Sequence, residues 1–306
     1  MAKQLTNQQN WRPWKAVLLF FIAIFVIVFG SVLVMHIGMT GLIISQLGLL
    51  ATAIIACLIN KTPLKEVFPI KKITVRDLFG SLLMWAGGVS FGIMSIYLSG
   101  LLTPTMSEQV SNGLSGLITS SSVLVIFIGT VILPPICEEA ICRGAILSNL
   151  RSIKKDWVII VIVGLMFALL HMDTVRLVNT FILGSICAYL ILKRNNFVLA
   201  TLVHLVNNGI TIGISLIFTS FADVSEQSVE AAESVEPYTW GSLGALMTVF
   251  CLAPILFVIG QHLIKRQVEI SEGSEKKGMK LGAKIGIASV VSAALLTGGL
   301  IISAVA

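Results

Sequence analysis

The chain has 306 residues, 56% of them hydrophobic and 12% charged, with a mean hydropathy of +0.96 and a formal net charge of +6. Soluble domains carry about 25% charged residues, so this composition excludes a single water-soluble core. The positive balance does not read as nucleic-acid binding, because the bases sit in short connections between apolar runs, where they set membrane topology.

Lys3, Arg12 and Lys15 precede an apolar run at 16–35. That run is longer than a signal-peptide core, and no small-x-small cleavage site follows it, which predicts an uncleaved first span. Further runs of spanning length follow at about 41–59, 78–101, 118–147, 156–171, 175–192, 197–219, 240–264 and 282–305. They lack a two-residue alternation and are rich in Leu, Ile, Ala and Gly, so each reads as a helix. The expected architecture is an all-α, polytopic transmembrane helix bundle of about nine spans, multi-pass in the cell membrane, with lipid around it. Three regions follow from the motifs described below: N-terminal helices over 1–117, a central core over 118–219, and an acidic loop with C-terminal helices over 220–306.

The connections alternate in charge. Lys61, Lys65, Lys71, Lys72 and Arg76 follow the second run, and Arg151, Lys154 and Lys155 the fourth. Lys193 and Arg194 follow the sixth, and Lys265, Arg266, Lys276, Lys277 and Lys280 the eighth. The intervening loops, 102–117 with Glu108 and 220–238 with Asp223, Glu226, Glu230, Glu233 and Glu236, hold no base. Basic loops stay cytoplasmic, which predicts an inner N-terminus and an outer C-terminus. The five cysteines lie in apolar runs and are expected as free, packed thiols. The Gly-, Ala- and Ser-rich last run suits close helix packing.

Ionisable groups inside a bilayer cost several kcal/mol, roughly 2.5–3.5 each on insertion scales, and by default they face the bundle interior and serve a function. Three runs concentrate them. The fourth contains Pro134-Pro135-Ile136-Cys137-Glu138-Glu139-Ala140-Ile141-Cys142-Arg143. Glu139 and Arg143 are four apart and share a face, so they can pair. Glu138 points about 100° away and has no partner on its own helix, as a general base would. The fifth run ends Phe167-Ala168-Leu169-Leu170-His171, and the seventh contains His204-Leu205-Val206-Asn207-Asn208. In each, a four-residue step puts two groups on one face. Glu138, His171, His204 and Asn208 together offer a base for water and donors for an oxyanion, the two requirements of amide hydrolysis. Taken singly, an intramembrane His is usually a packing residue, and a Glu–Arg pair is as readily a helix clamp as part of a site. Their joint occurrence on three runs favours a site. His36 and His262 fall at run edges and are assigned nothing.

Glu138-Glu139-x-x-x-Arg143, Phe167-x-x-x-His171 and His204-x-x-x-Asn208, in this order on successive apolar helices, resemble the motifs of the CAAX-protease and bacteriocin-processing (Abi) membrane proteases. The resemblance covers about 120–219. It implies an intramembrane endopeptidase acting on membrane-associated peptides or proteins, through CAAX-type or bacteriocin- and pheromone-precursor processing. It implies that Glu138, helped by His171, activates water, that His204 and Asn208 stabilise the oxyanion, and that Glu139, Arg143 and Phe167 support the site. The family has also been described as metalloproteases, which makes Glu138, His171 and His204 a candidate zinc set. With no HExxH in the chain, a metal-free, glutamate-based reaction is the preferred expectation. A second reading is a non-catalytic membrane partner, such as a bacteriocin self-immunity or sensor-binding protein. Gly113-Leu114-Ser115-Gly116 resembles a rhomboid GxSG, but it falls in an expected loop. One geometric demand follows: Glu138 lies near the inner end of its run and His171 far from the start of its own. Convergence then requires tilt, a break at Pro134-Pro135, or a fifth helix beginning near Ser152.

Overall fold

The computed structural model describes residues 8–119, 121–222, 238–272 and 279–306. Residues 223–237 of the expected acidic connection lie outside them. The described residues form helices and no strands. In chain order the helices are α1 (Pro13–Ile37), α2 (Met39–Ile59), α3 (Val75–Leu102), α4 (Pro104–Thr119), α5 (Val123–Leu150) and α6 (Asp156–Leu170). Then come α7 (Leu177–Arg194), α8 (Phe197–Ala222), α9 (Trp240–Val249), α10 (Ala253–Glu272) and α11 (Leu281–Val305). A single extra turn, Leu64–Val67, lies between α2 and α3.

Among the described residues, eight stretches are long and apolar enough to cross a bilayer, so the chain is a multi-pass membrane protein built as a helical bundle. The remaining run expected from the sequence, the fifth, is α6, which at 15 residues is shorter than the rest. Its length of about 22 Å falls short of a hydrocarbon core of about 30 Å. The eighth run is not one helix: it breaks between Val249 and Ala253 into α9 and α10. Outer faces carry large apolar side chains such as Phe25, Phe29 and Val290, as surfaces against lipid require.

One expectation is corrected. The connection 102–117 is mostly helical, forming α4 with Pro104 at its first position, where a missing N–H is harmless. The Gly113–Gly116 sequence therefore lies within a helix. The fifth helix begins at Asp156, as its expected run of 156–171 has it, so of the three routes to convergence a start near Ser152 is not the one taken.

α5 does not break at its prolines either. It runs continuously from Val123 to Leu150, with two π-helical stretches, Phe127–Ile132 and Ala140–Ile146, flanking the turn that carries Glu138 and Glu139. Two consecutive prolines remove two N–H donors, and the wider π turn before them absorbs the mismatch. Because α5 extends to Leu150, Glu138 lies twelve residues, about 18 Å, before its end. That is close to the 22 Å between the start of α6 and His171, which brings the two groups level.

Small residues set the closest helix contacts. A Cβ on Gly80 or Gly260 would meet the opposing helix at 3.0 and 2.5 Å, which is why α3 and α10 lie against each other. Gly244 of α9 and Gly299 of α11 approach the same way, as expected of the last run. Ion pairs tie the ends of neighbouring helices. Arg194 grips Asp77, which also caps α3 through Thr74, and Lys193 reaches Asp156 at the start of α6. The thiols of Cys57, Cys137, Cys142 and Cys187 are free and buried, while Cys251 lies in the break between α9 and α10.

Candidate active site

The three motif helices bring their polar groups to one place beside α2. Glu139 is fully buried, and its Oε1 lies 2.9 Å from Arg143 Nη1. The same oxygen accepts Nδ1–H of His204 at 3.0 Å. Arg143 donates its other terminal nitrogen to the Gly184 carbonyl at 3.0 Å and rests its guanidinium on the face of Phe167, 4.2 Å from the ring centre. Phe167 turns its ring against both imidazoles, with centroids 4.7 Å from His171 and 5.5 Å from His204. Gly184 makes this possible, because a Cβ there would sit 3.0 Å from Phe167 Cδ1 and 3.1 Å from Gly164 Cα.

Glu138 faces the other way and is 14% exposed. Its Oε1 accepts Nε2–H of Gln46 at 2.9 Å. Its Oε2 is buried without a hydrogen bond and lies 3.8 Å from Nε2 of both His171 and His204. Each imidazole is oriented by its far nitrogen: His171 Nδ1–H donates to the Phe167 carbonyl at 2.8 Å, and His204 Nδ1–H to Glu139. Both Nε2 atoms are thereby aimed at the free oxygen of Glu138. A gap of 3.8 Å is too long for a direct hydrogen bond and suits a bridging water. The site opens on a cavity of about 180 Å³, walled by Ile27, Gly30 and Val34 of α1, Leu42 and Gln46 of α2, Glu138, and Phe167 and His171.

Asn208 is placed differently from its neighbours. It donates Nδ2–H to the Thr130 carbonyl at 3.0 Å, and its oxygen accepts from Asn207 at 3.3 Å. The helical partner of the Thr130 carbonyl would be residue 134 in an α turn or residue 135 in a π turn, and both are proline. Asn208 supplies the donor that the chain itself lacks.

All the residues expected from the motifs thus gather around α5. Gln46, Thr130 and Gly184 are the participants that the motifs do not contain. Gln46 had one signal, a lone amide in an apolar run, and an uncharged group is too cheap there to stand out.

Among the described residues, no group of three His, Cys, Asp or Glu side chains is disposed to hold a metal ion. Glu138 Oε2 lies 3.8 Å from each imidazole nitrogen. Two ligands of a tetrahedral zinc, each about 2.1 Å from the metal, lie about 3.4 Å apart. The candidate zinc set of Glu138, His171 and His204 stands about 0.4 Å wider than that spacing.

Residues 120–210 match the model of the Rce1-like family, described as type II CAAX prenyl endopeptidase Rce1-like. The match agrees with the resemblance of the three motifs to the CAAX-protease and bacteriocin-processing family. The family region spans α5, α6, α7 and the part of α8 that bears His204 and Asn208. Gln46 and the α1 and α2 walls of the cavity lie outside it. No curated protein and no solved structure matches the chain.

Proposed function

We propose that the chain is an intramembrane endopeptidase that hydrolyses a peptide bond of a CAAX-type or other membrane-associated peptide or protein, with water activated by Glu138. The observation that carries this reading is the free Oε2 of Glu138, held 3.8 Å from two imidazole nitrogens that are both aimed at it. A water there donates one hydrogen to Glu138 and the other to Nε2 of His171, whose Nδ1 is committed to the Phe167 carbonyl. Its oxygen lone pair is left for the substrate carbonyl carbon.

Attack transfers one water proton to Glu138 and puts negative charge on the former carbonyl oxygen. His204 in its doubly protonated form keeps Nδ1–H on Glu139 and offers Nε2–H to that oxygen. The resemblance gives Asn208 the same role. One of its amide hydrogens is used on Thr130, and the other is the donor that role needs. Collapse of the tetrahedral species breaks the C–N bond. Glu138 returns its proton to the leaving nitrogen, releasing an amine and a carboxylic acid.

The test is cleavage of a farnesylated CAAX peptide by the purified protein in lipid vesicles, for the wild type and Glu138→Gln, each with and without a zinc chelator. Cleavage by the wild type that survives chelation and vanishes in the variant supports the metal-free mechanism. Loss on chelation, restored by zinc, would replace it with a metal-dependent one. Equal cleavage by wild type and variant would sink the assignment of Glu138.

A further inference from the structure

We infer that Gln46 is a substrate-positioning residue, whose amide holds Glu138 with its nitrogen and presents its oxygen to a backbone N–H of the peptide being cut. The inference rests on the proteolytic reading and adds to it a residue from α2, outside the family region.

Chemistry fixes which way the amide points. An ionised carboxylate has only acceptors, so the atom of Gln46 lying 2.9 Å from Glu138 Oε1 is its nitrogen. Its oxygen must then face elsewhere. That oxygen is buried and accepts no hydrogen bond, although Gln46 as a whole is only 6% exposed. A buried acceptor left unsatisfied destabilises the fold. The apolar isostere Met would avoid that cost, so the position favours a residue that meets a partner absent from the resting chain.

The cavity supplies the place for that partner. Gln46 lines it together with Glu138 and His171, so a group in the cavity lies beside both the amide and the water site. The hydroxyls on its walls are spent: Ser31 donates to the Ile27 carbonyl and Ser45 to the Val26 carbonyl, each within the α1–α2 hairpin. A peptide chain entering from lipid brings both a carbonyl and N–H groups, and in hydrocarbon each needs a partner. Its carbonyl meets the donor on His204. An N–H near the cut meets the oxygen of Gln46, and the same amide keeps Oε2 of Glu138 turned toward both imidazoles.

The test uses the full-length protein in lipid vesicles and a farnesylated CAAX peptide, N-methylated in turn at each amide flanking the cleaved bond. N-methylation at one of these positions is expected to lower kcat/KM of the wild type by about tenfold, the worth of one good hydrogen bond. In Gln46→Met the unmodified peptide is cut about 10–100-fold less efficiently, with KM raised as well as kcat lowered. N-methylation at that position then costs this variant nothing more. A scan in which no N-methyl group costs the wild type more than twofold overturns the inference without recourse to any variant. So does an equal penalty in wild type and Gln46→Met. A wild type that cuts no better than Glu138→Gln would instead bring down the proteolytic reading itself, which separates the two failures.

Discussion

The two sides of α5 at its Glu-Glu step differ in everything except residue type. On the sealed side, Glu139 has no exposure and meets a guanidinium and an imidazole, with an aromatic face and a backbone carbonyl closing the cluster. On the open side, Glu138 meets one amide through one oxygen and leaves the other free above a cavity. Adjacent carboxylates on one helix thus divide the work by rotation alone, since a 100° step carries one into the packed interior and the other toward space. A charge sealed between a guanidinium and an imidazole holds helices together, and a charge beside a cavity can exchange a proton with water. Neither could do the other's work without its surroundings changing.

The largest effects should come from exchanging the two glutamates' neutral amides. Glu138→Gln is expected to lower turnover by about 10²–10⁴-fold, the usual worth of a general base, while the thermal midpoint stays close to wild type. Glu139→Gln leaves the buried Arg143 without its counter-charge and is expected to cost about 3–5 kcal/mol of stability, seen as a large drop in midpoint and in yield. Activity per folded molecule should also fall, because His204 loses the acceptor of its Nδ1–H. If both variants change stability equally, the division between the two sides is wrong.

Next in size is the double proline. Asn208→Leu removes the donor from the Thr130 carbonyl and should cost about 1–3 kcal/mol, the penalty for a buried acceptor left unmet. Adding Pro135→Ala to the same chain restores a backbone N–H and is expected to recover part of that stability. It is not expected to recover the oxyanion donor that the resemblance assigns to Asn208. Recovery of stability without activity would separate the two roles of this side chain. A chain indifferent to Asn208→Leu in both respects would remove it from the site.

Sequence and structure agree where chemistry is expensive. Buried Glu139, Arg143 and His204 stand out in an apolar chain because the bilayer penalises them, and helical spacing alone places Glu139 beside Arg143. The remainder of the site comes from long-range packing that no local pattern encodes. Gln46 lies 92 positions from Glu138, and Gly184 accepts from Arg143 across 41. The helix α4 was legible by a different route. Met106, Val110, Leu114 and Leu117 recur at intervals of four, four and three behind Pro104, a helical period that counting charges passes over. The break between α9 and α10 left one trace, Pro254 in the first turn of α10, within a stretch where Phe250, Cys251 and Leu252 are as apolar as their neighbours.

Tighter packing on the sealed side makes a further, intermediate prediction. Gly184→Val would push a branched side chain into Phe167 and Gly164, which lie 3.0 and 3.1 Å from the first added carbon. Overpacking of this kind costs about 1–3 kcal/mol. Because Phe167 contacts both imidazoles, activity should fall along with the midpoint. Gly30, on the open side, is set against the Ser45 side chain, whose hydroxyl and Cβ would lie 2.2 and 2.3 Å from an added Cβ. Gly30→Ala should therefore disturb the α1–α2 wall of the cavity and act mainly through KM.

The smallest expected effect is at Met172, which follows His171 with φ of +48°, a left-handed conformation that suits Gly or Asn far better than an unbranched apolar side chain. Met172 is half exposed, so little packing offsets this strain. Met172→Asn should raise stability by up to about 1 kcal/mol, read as a small rise in thermal midpoint. Strain beside a proposed catalytic group invites the idea that it positions that group. Here the ring of His171 is fixed from the other direction, by Nδ1–H on the Phe167 carbonyl and by the edge of the Phe167 ring. The backbone at Met172 ends α6 after that orientation is already set. Turnover in Met172→Asn should accordingly stay within about twofold of wild type, which is a difference in barrier of less than about 0.5 kcal/mol. A larger loss would mean that the turn, rather than Phe167, aims the imidazole at Glu138.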